Sequence, residues 1–342
     1  MRVGIVGFGK MGMLHGALLN KLEGVEVVAV ADTSKLMLIA FKSVLPKIKY
    51  FNSYEKMFSK CKLDAVIIAT PSFTHVPIAK SAIENSISVF IEKPLSSTLE
   101  QAVELHNLLK GKDVVSMVGF CMRYIPTFIK GKEILDSKKM GNIKKVNSQI
   151  YIADVFEEQI GWRYNKTLSG GGVLIDFSVH MIDLLYYYFG QVKSVNGEIK
   201  SIYSKKVEDE VTAELLFENG VTAKLDSSWS KPEYRKTYAR IEIEGDKGKM
   251  VVSDQNLVLE MYDENTKEYI IESKWNYPDL YEGYYVDIGG PLYSTQMELF
   301  VDIVKNKRKS DVDIERSLHT QKIIDTIYKS AEQKKQISID GD

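Results

Sequence analysis

Cysteine is scarce in this sequence: Cys61 and Cys121 are the only two in 342 residues. A disulfide-stapled scaffold is therefore excluded, and a reducing compartment is favoured. No group of Cys and His residues has the spacing of a zinc site, so we expect no metal. Long apolar runs are missing too, since the longest is about six residues and a bilayer needs roughly 20.

An excess of charge of either sign is also missing. There are 45 basic and 46 acidic side chains, which leaves a formal net charge of −1. This balance speaks against partners such as nucleic acid or an anionic membrane. The N-terminal stretch MRVGIVGFGKMG enters a strand pattern at once, where a secretory signal would have an apolar stretch and a cleavage site. We therefore expect a cytoplasmic globular protein of about two domains, at roughly 150 residues per domain.

The first 120 residues alternate between strand-like and helix-like stretches. Strands that are apolar throughout are covered on both faces, and helices between them make the right-handed crossovers of a parallel sheet. The sequence thus predicts a doubly wound α/β domain over residues 1–120, with its ligand at the carboxyl ends of the strands. The predicted strands are Val3–Val6, Val25–Ala31, Ile48–Phe51, Asp64–Ala69, Ser88–Ile91 and Val114–Val118.

The pattern changes after a bend at Gly119–Arg123. Short strands follow one another from Val192 to Tyr262, with hairpin signals at 218–220 and 245–248. Residues 121–342 are therefore predicted to form an α/β domain on an open, mostly antiparallel sheet. The helix that ends the chain, predicted over Ile314–Lys334, could pack back on the first domain.

A dinucleotide fingerprint stands at the start of the chain. Residues 7–12, GFGKMG, have the form G-x-G-x-x-G between a strand and a helix, and Asp32 ends the second strand 20 residues later. Gly7 would permit the tight turn, Gly9 the approach of a pyrophosphate, and Gly12 close packing of helix and strand. Asp32 can accept hydrogen bonds from both ribose hydroxyls and would repel a 2′-phosphate, which favours NAD over NADP. The alternative is a glycine turn with no cofactor.

Three further residues have the chemistry of proton transfer. Asp176 and His180 lie four apart on a predicted helix, so they share a face, and a carboxylate beside an imidazole can orient it. Asp183 is predicted on the same side. Lys93 ends a strand of the first sheet, where it could donate to a substrate hydroxyl. The alternatives are a histidine satisfied within a core helix and a surface lysine at a strand end.

Several stretches together resemble the Gfo/Idh/MocA oxidoreductases, named for glucose–fructose oxidoreductase and inositol dehydrogenase. The resemblance covers nearly the whole chain. It rests on GFGKMG at 7–12, ATPSFTH at 69–75, EKP at 92–94, GFCMRY at 119–124, WR at 162–163 and SGGGVLIDFSVHMID at 169–183. It implies a Rossmann domain followed by an α/β domain whose open sheet forms homo-oligomer contacts, as a dimer or tetramer. The implied activity is an NAD(P)-dependent dehydrogenase or reductase acting on a sugar, a sugar derivative or a cyclitol.

The resemblance also assigns residues. The family's catalytic Lys, Asp and His fall on Lys93, Asp176 and His180. Lys93 and His180 would titrate as a coupled pair, so both stay candidates for the formal base. Cofactor contacts are expected from Gly7, Phe8, Gly9, Lys10, Met11, Gly12, Asp32, Thr33, Thr70, Pro71, Ser72, His75, Glu92 and Lys93. Substrate contacts are expected from Arg123, Trp162, Arg163, Asp176, His180, Tyr234 and Tyr238.

Two other functions stay open at this point. One is an NAD-assisted lyase or glycosidase that oxidises a sugar transiently and returns the hydride. The other is a non-catalytic regulator that binds a dinucleotide and a partner protein, although such a protein needs no Lys93, Asp176 and His180 set. Tyrosines at 277 and 281–285 could line a polar pocket or cover an oligomer interface.

Overall fold

The computed structural model describes residues 1–280 and 289–339, so the tyrosines at 281–285 lie outside the described residues. The chain forms two compact units. The first comprises Met1–Phe120 and Tyr285–Gln321, and the second comprises Cys121–Tyr284 and Lys322–Asp342. The first division falls within the predicted bend. Both units are discontinuous, whereas we predicted a second domain that runs unbroken to the end of the chain.

The first unit contains a sheet of six strands, all parallel, in the order β3-β2-β1-β4-β5-β6. The predicted doubly wound sheet is confirmed. The strand order reverses between β1 and β4, which is where such a sheet opens a crevice at its carboxyl edge. The elements of this part are β1 (Arg2–Val6), α1 (Lys10–Leu19), β2 (Glu26–Ala31), α2 (Lys35–Val44), β3 (Lys49–Phe51), α3 (Tyr54–Lys60), β4 (Ala65–Ile68), α4 (His75–Glu84), β5 (Ser88–Ile91), α5 (Leu99–Leu109) and β6 (Ser116–Val118).

Local chemistry explains the ends of these helices. Ser34 caps α2, its Oγ accepting the N–H of Met37 at 3.4 Å. Thr98 caps α5 in the same way through the N–H of Gln101 at 3.3 Å. The central strands β1, β4 and β5 are buried almost throughout, as their apolar sequences predict. Helix α3 was not predicted, because its seven residues are too few to show a helical period.

The second unit is built on nine strands in the order β14-β13-β12-β11-β7-β10-β9-β8-β15. Among the described strands of this second sheet, only β7 and β10 pair in parallel, so the predicted mostly antiparallel sheet is confirmed. The elements are α6 (Pro126–Asp136), β7 (Ile143–Tyr151), α7 (Lys166–Ser169), a π-helical turn (Leu174–Ser178), α8 (Val179–Phe189), β8 (Val192–Lys200), β9 (Glu210–Phe217), β10 (Thr222–Ser228), β11 (Tyr238–Gly245), β12 (Gly248–Ser253), β13 (Asn256–Asp263), β14 (Glu268–Asn276), α9 (Tyr277–Leu280), α10 (Pro291–Lys305), α11 (Ile314–Gln333) and β15 (Ile337–Ser338).

Helices cover one face of this second sheet. Helix α6 packs against β12 and β13, and α8 packs against β7 and β10. Along β9, β10 and β11 the other side chains alternate with the buried ones and stay partly or fully exposed. Strand β14 was not predicted, since it is exposed at most positions and its Ile270 and Ile271 are 46% and 60% exposed. Helix α10 belongs to the first unit, where it packs on α1, and this explains why that unit includes residues from late in the chain.

Two properties of the described chain bear on function class. The helical stretch Lys166–Phe189 is long and apolar enough to resemble a membrane span, but its apolar window is 72% buried inside the protein, as in a core helix. Within residues 1–280 and 289–339, no three His, Cys, Asp or Glu side chains lie together as metal ligands would.

Candidate active site

The glycine-rich turn joins β1 to α1 at the carboxyl edge of the first sheet. Gly7 has a φ of 85°, in the left-handed region, and a Cβ there would lie 2.5 Å from the carbonyl oxygen of Ala69. A Cβ on Gly12 would lie 2.0 Å from the carbonyl oxygen of Gly7. At Gly9, by contrast, a Cβ would meet no atom within 4 Å. Packing within the protein therefore demands the first and third glycines, while the space at Gly9 is open to a ligand.

Asp32 follows β2, and backbone N–H groups hold its carboxylate in place. Phe8 donates to Oδ2 at 2.7 Å, and Ser34 donates to Oδ1 at 2.7 Å. Each oxygen keeps a lone pair for a ribose hydroxyl. Helix α1 begins nearby with no side-chain cap on its first N–H groups, which makes it a ready anion site. These features fit the ribose and pyrophosphate of a dinucleotide.

An open cleft of about 490 Å³ lies beside this carboxylate in the first unit. Six of the residues predicted to contact the cofactor line it: Gly7, Gly9, Asp32, Thr33, Thr70 and Pro71. Sequence reasoning missed others, namely Asn52, Ser53, Tyr54, Phe73 and Thr74. The first three follow β3, which pairs with β2, so the end of that weak strand was the signal for them.

Other residues predicted at the cofactor lie behind the cleft. The His75 ring is 1% exposed, with Nδ1 2.8 Å from the carbonyl oxygen of Pro94 and Nε2 2.9 Å from that of Thr70. Burial lowers the pKa of His75 although both contacts oppose the shift. This ring therefore ties the ends of β4 and β5 together rather than facing the cleft. Phe8, Ser72 and Glu92 are buried as well, while Lys10 and Met11 form the first turn of α1.

Lys93 lies just beyond the end of β5 and is half-buried. Its backbone N–H is 3.2 Å from Oε2 of Glu92, and its peptide bond to Pro94 is cis. Because the strands are parallel, Lys93, Asp32 and Thr70 follow strands that end at one edge of the sheet. The lysine is therefore at the same edge as the cleft.

In the second unit, Asp176 is bound by Arg163. The guanidinium donates from Nε to Oδ2 of Asp176 at 2.7 Å and from Nη1 to Oδ2 of Asp154 at 2.6 Å. It also lies 5.0 Å from the ring centre of Trp229. Burial opposes its charge, but Asp176 and Asp154 outweigh burial and raise the pKa of Arg163. Arg163, which was predicted to contact substrate, thus holds the predicted catalytic carboxylate of Asp176 in place. Asp154, which the sequence analysis did not single out, is the second carboxylate that Arg163 binds.

Asp176 lies on the π-helical turn, and His180 lies in the first turn of α8. The glycine triplet before them approaches other parts of the protein. A Cβ on Gly172 would lie 2.1 Å from the carbonyl oxygen of Glu208, and one on Gly171 would lie 1.8 Å from Oη of Tyr328. Gly172 therefore makes room for the close approach of a second backbone segment of the protein.

Glu208 is a buried carboxylate at the start of this helical segment, and no motif in the sequence pointed to it. Its Oε1 accepts the N–H groups of Gly172 at 2.8 Å and Leu174 at 3.0 Å, and the hydroxyl of Tyr328 at 2.7 Å. Burial raises the pKa of Glu208, and these hydrogen bonds oppose the shift only in part. One oxygen atom therefore anchors the segment that carries Asp176.

Arg123 and Asp183 form an ion pair inside the second unit. Their side chains are 6% and 3% exposed, with Nε to Oδ2 and Nη2 to Oδ1 distances of 2.6 Å. Burial raises the pKa of Asp183 despite the guanidinium. Arg123 was predicted to contact substrate. In the structure, its guanidinium instead makes a bidentate ion pair with the carboxylate of Asp183 in α8. Asp183 likewise serves that pair rather than extending the Asp176 and His180 face.

The aromatic candidates are spread over two places. Trp162 is 38% exposed on a short helical turn. Tyr234 and Tyr238 pack against each other with ring centres 4.8 Å apart and ring planes tilted by 38°. Each also packs on Tyr151, with ring centres 5.0 Å and 6.3 Å away. The structure therefore brings the two predicted tyrosines together with a third, at the ends of β7 and β11.

Comparison with known proteins settles the family. The model of an oxidoreductase family with an NAD-binding Rossmann fold matches residues 1–120, and that of the GFO/IDH/MocA C-terminal domain matches residues 128–251. Oxidoreductase P35 of Formosa agariphila is 30% identical over 226 residues, which are 64% of this chain and 69% of that protein. The chain belongs to the Gfo/Idh/MocA oxidoreductase family. Membership confirms the predicted oxidoreductase class and NAD as its cofactor.

A scyllo-inositol dehydrogenase and the solved structure of a levoglucosan dehydrogenase are also similar to this chain. The scyllo-inositol 2-dehydrogenase (NAD(+)) of Bacillus subtilis is 26% identical over 239 residues, 68% of each protein. A levoglucosan dehydrogenase, solved in complex with NADH and L-sorbose, superposes with a TM-score of 0.90 at 20% identity, covering 99% of this chain and 98% of that one. The likeness in fold therefore extends over nearly the whole chain.

Proposed function

We propose that this protein is an NAD-dependent dehydrogenase or reductase that transfers hydride between nicotinamide C4 and a secondary alcohol or ketone of a sugar, sugar derivative or cyclitol. The observation that carries the proposal is the pair of features at one edge of the first sheet: the open cleft at Gly9 and Asp32, and Lys93 at the end of β5. The similar proteins named for scyllo-inositol and levoglucosan support this substrate class. Asp32 supports a preference for NAD, since its charge would repel a 2′-phosphate.

The roles of the chain's own residues follow from their chemistry. When bound, NAD supplies the hydride acceptor. The glycine turn would hold its pyrophosphate and Asp32 its ribose hydroxyls. In the proposed oxidation, His180 takes the proton of the substrate hydroxyl, with Asp176 as the carboxylate that orients it. Lys93 donates a hydrogen bond to the same oxygen and stabilises its developing charge.

The test is a panel of cyclitols and sugars, including scyllo-inositol, myo-inositol and levoglucosan, with NAD⁺ or NADP⁺, followed at the absorbance of the reduced nicotinamide. Lys93→Ala and His180→Ala are expected to reduce turnover of the best substrate to a small residual rate while NADH binding, measured by fluorescence, is kept. Lys80→Ala and His106→Ala, which change the same residue types on outer helices, are the matched controls. Near-normal turnover in either test variant would contradict the assignment, and glycoside cleavage without net NADH would point to a lyase or glycosidase.

Two further proposals concern the protein in the cell. We propose that it is cytoplasmic, which the two buried free cysteines support. We also propose a homo-oligomer formed through the uncovered face of the second sheet. The partly exposed alternate side chains of β9, β10 and β11 support this proposal, and light scattering of the purified protein tests it.

A further inference from the structure

A buried hydrogen bond links the helix of the glycine turn to the strand end that carries Lys93. His15 belongs to α1, and its side chain is fully buried. Its Nε2 lies 2.6 Å from Oε1 of Glu92, the residue that directly precedes Lys93. The imidazole packs against the edge of Phe90 from β5 with ring centres 5.1 Å apart.

The same carboxylate also binds the backbone of the lysine. Oε2 of Glu92 accepts the N–H of Lys93 at 3.2 Å. Gly119, just after β6, closes the other side, since a Cβ there would lie 3.0 Å from Oε2. Glu92 therefore has an imidazole on one oxygen, the backbone of Lys93 on the other, and little room to turn.

Glu92 is only 9% exposed. Burial alone would raise the pKa of Glu92, but the hydrogen bond from His15, together with the nearby His and Lys charges, outweighs burial and lowers it. Within the described residues, Nδ1 of His15 is buried without a hydrogen-bond partner, so Nε2 is the nitrogen that donates. A buried polar pair of this kind is often no more stabilising than an apolar pair of equal volume. Stability alone therefore does not explain it.

We propose that His15 and Glu92 are positioning residues for Lys93, with His15 fixing the carboxylate and the carboxylate fixing the backbone from which the lysine side chain extends. The inference rests on the proposed function, in which Lys93 acts on the substrate oxygen. Helix α1 also begins at the glycine turn, so one rigid element connects the pyrophosphate end of the site with the lysine. A displacement of about 1 Å at a reacting group can lower a rate roughly 100-fold.

The test compares two substitutions of His15 on the best substrate of the panel, with NAD⁺. His15→Leu removes the donor, and kcat is expected to fall about 10- to 100-fold while KM for NAD⁺ changes less than about threefold. His15→Gln keeps a donor at a similar reach and is expected to restore kcat to within about fivefold of the original protein. His106→Leu, the same change in α5, is the control and should leave kcat unchanged.

A double-mutant cycle distinguishes positioning from mere stability. If His15 acts through Lys93, adding His15→Leu to Lys93→Ala should lower the residual rate by less than about twofold. A kcat for His15→Leu within about twofold of the original, or a full additional loss in the Lys93→Ala background, overturns the inference. If His15→Leu does not fold, as judged by its melting curve, Glu92→Gln takes its place, because one amide oxygen cannot serve both N–H donors. A fully active Lys93→Ala would instead refute the proposed function.

Discussion

Replacing Glu208 by Ala should weaken the second unit more than an ordinary buried substitution. Its Oε1 accepts three hydrogen bonds, from the N–H groups of Gly172 and Leu174 and from the hydroxyl of Tyr328, and alanine has no side-chain acceptor to replace it. A buried donor left without a partner costs about 1–3 kcal/mol, so three of them cost at least about 3 kcal/mol. For a unit of this size, that corresponds to a fall in Tm of about 6–12 °C.

Two milder substitutions calibrate this value. Tyr328→Phe removes one donor of the three and should cost about 1 kcal/mol. Glu208→Gln keeps an acceptor oxygen in place and removes the charge, so its stability isolates the cost of the buried carboxylate. Thermal and urea melts of the four proteins provide the comparison. If Glu208→Ala unfolds at the same temperature as Tyr328→Phe, the three hydrogen bonds to Oε1 of Glu208 do not together stabilise the start of this helical segment.

The charge of Glu208 also gives the melts a pH dependence of known sign. Burial raises its pKa above the ordinary value of 4.5, so the folded protein binds this proton more tightly than the unfolded chain does. The free energy of unfolding should therefore fall as the pH rises from 4.5 to the folded-state pKa and stay at the lower value above it. Glu208→Gln should lack this fall. If the free energy of unfolding changed with pH in the same way for the original protein and for Glu208→Gln, burial would not disfavour the charged form of Glu208.

Three further predictions concern the turn, the cofactor and the interior. Gly9→Ala should fold normally but bind NADH at least about 10-fold more weakly. Gly12→Ala forces a Cβ against a carbonyl oxygen and should therefore lower Tm. If both variants lost NADH binding and Tm to the same extent, the two glycines would not differ in role. Asp32→Ala should raise KM for NAD⁺ about 10- to 100-fold and favour NADP⁺ in relative kcat/KM, since two charged hydrogen bonds and a repulsion are lost. Asp183→Ala should cost about 3–5 kcal/mol in urea melts because Arg123 is left buried and unpaired, and a loss below about 1 kcal/mol would contradict a buried pair.

The first unit was largely predictable because its signals are local. Strand and helix periods, the caps Ser34 and Thr98, and the spacing from the glycine turn to Asp32 all lie within short windows, and the structure contains each of them. The parallel order then follows from the right-handed crossover rule. Helix α3 is too short for its apolar residues to show a helical period. Strand β14 is an exposed edge strand, so its sequence lacks the alternation of buried and exposed residues that would have revealed it.

The contacts of the candidate site were not predictable in the same way. Gly172 and Glu208 are 36 positions apart in sequence, and Arg123 and Asp183 are 60 apart. From sequence alone, a charged side chain in a motif can be interpreted as a substrate contact or as half of an ion pair. Only the tertiary structure shows which partner it has. Arg123 and Arg163 were both predicted to contact substrate, and both bind carboxylates of their own unit.

A common pattern connects these partners. Each predicted catalytic residue is beside, or is itself, a member of a charged pair: Lys93 directly follows Glu92, Asp176 is bound by Arg163, and His180 precedes Asp183 by three positions. Under the proposed function, the family motifs therefore include residues that position the catalytic groups as well as the catalytic groups themselves. Residues that only position other groups are not expected to determine which sugar is bound. Differences in substrate among such proteins should accordingly depend on side chains outside these pairs. In this chain, we expect substitutions of Trp162, Tyr234 or Tyr238 to change which substrate is preferred. The same substitutions should leave kcat on a minimal polyol within about 10-fold of its original value.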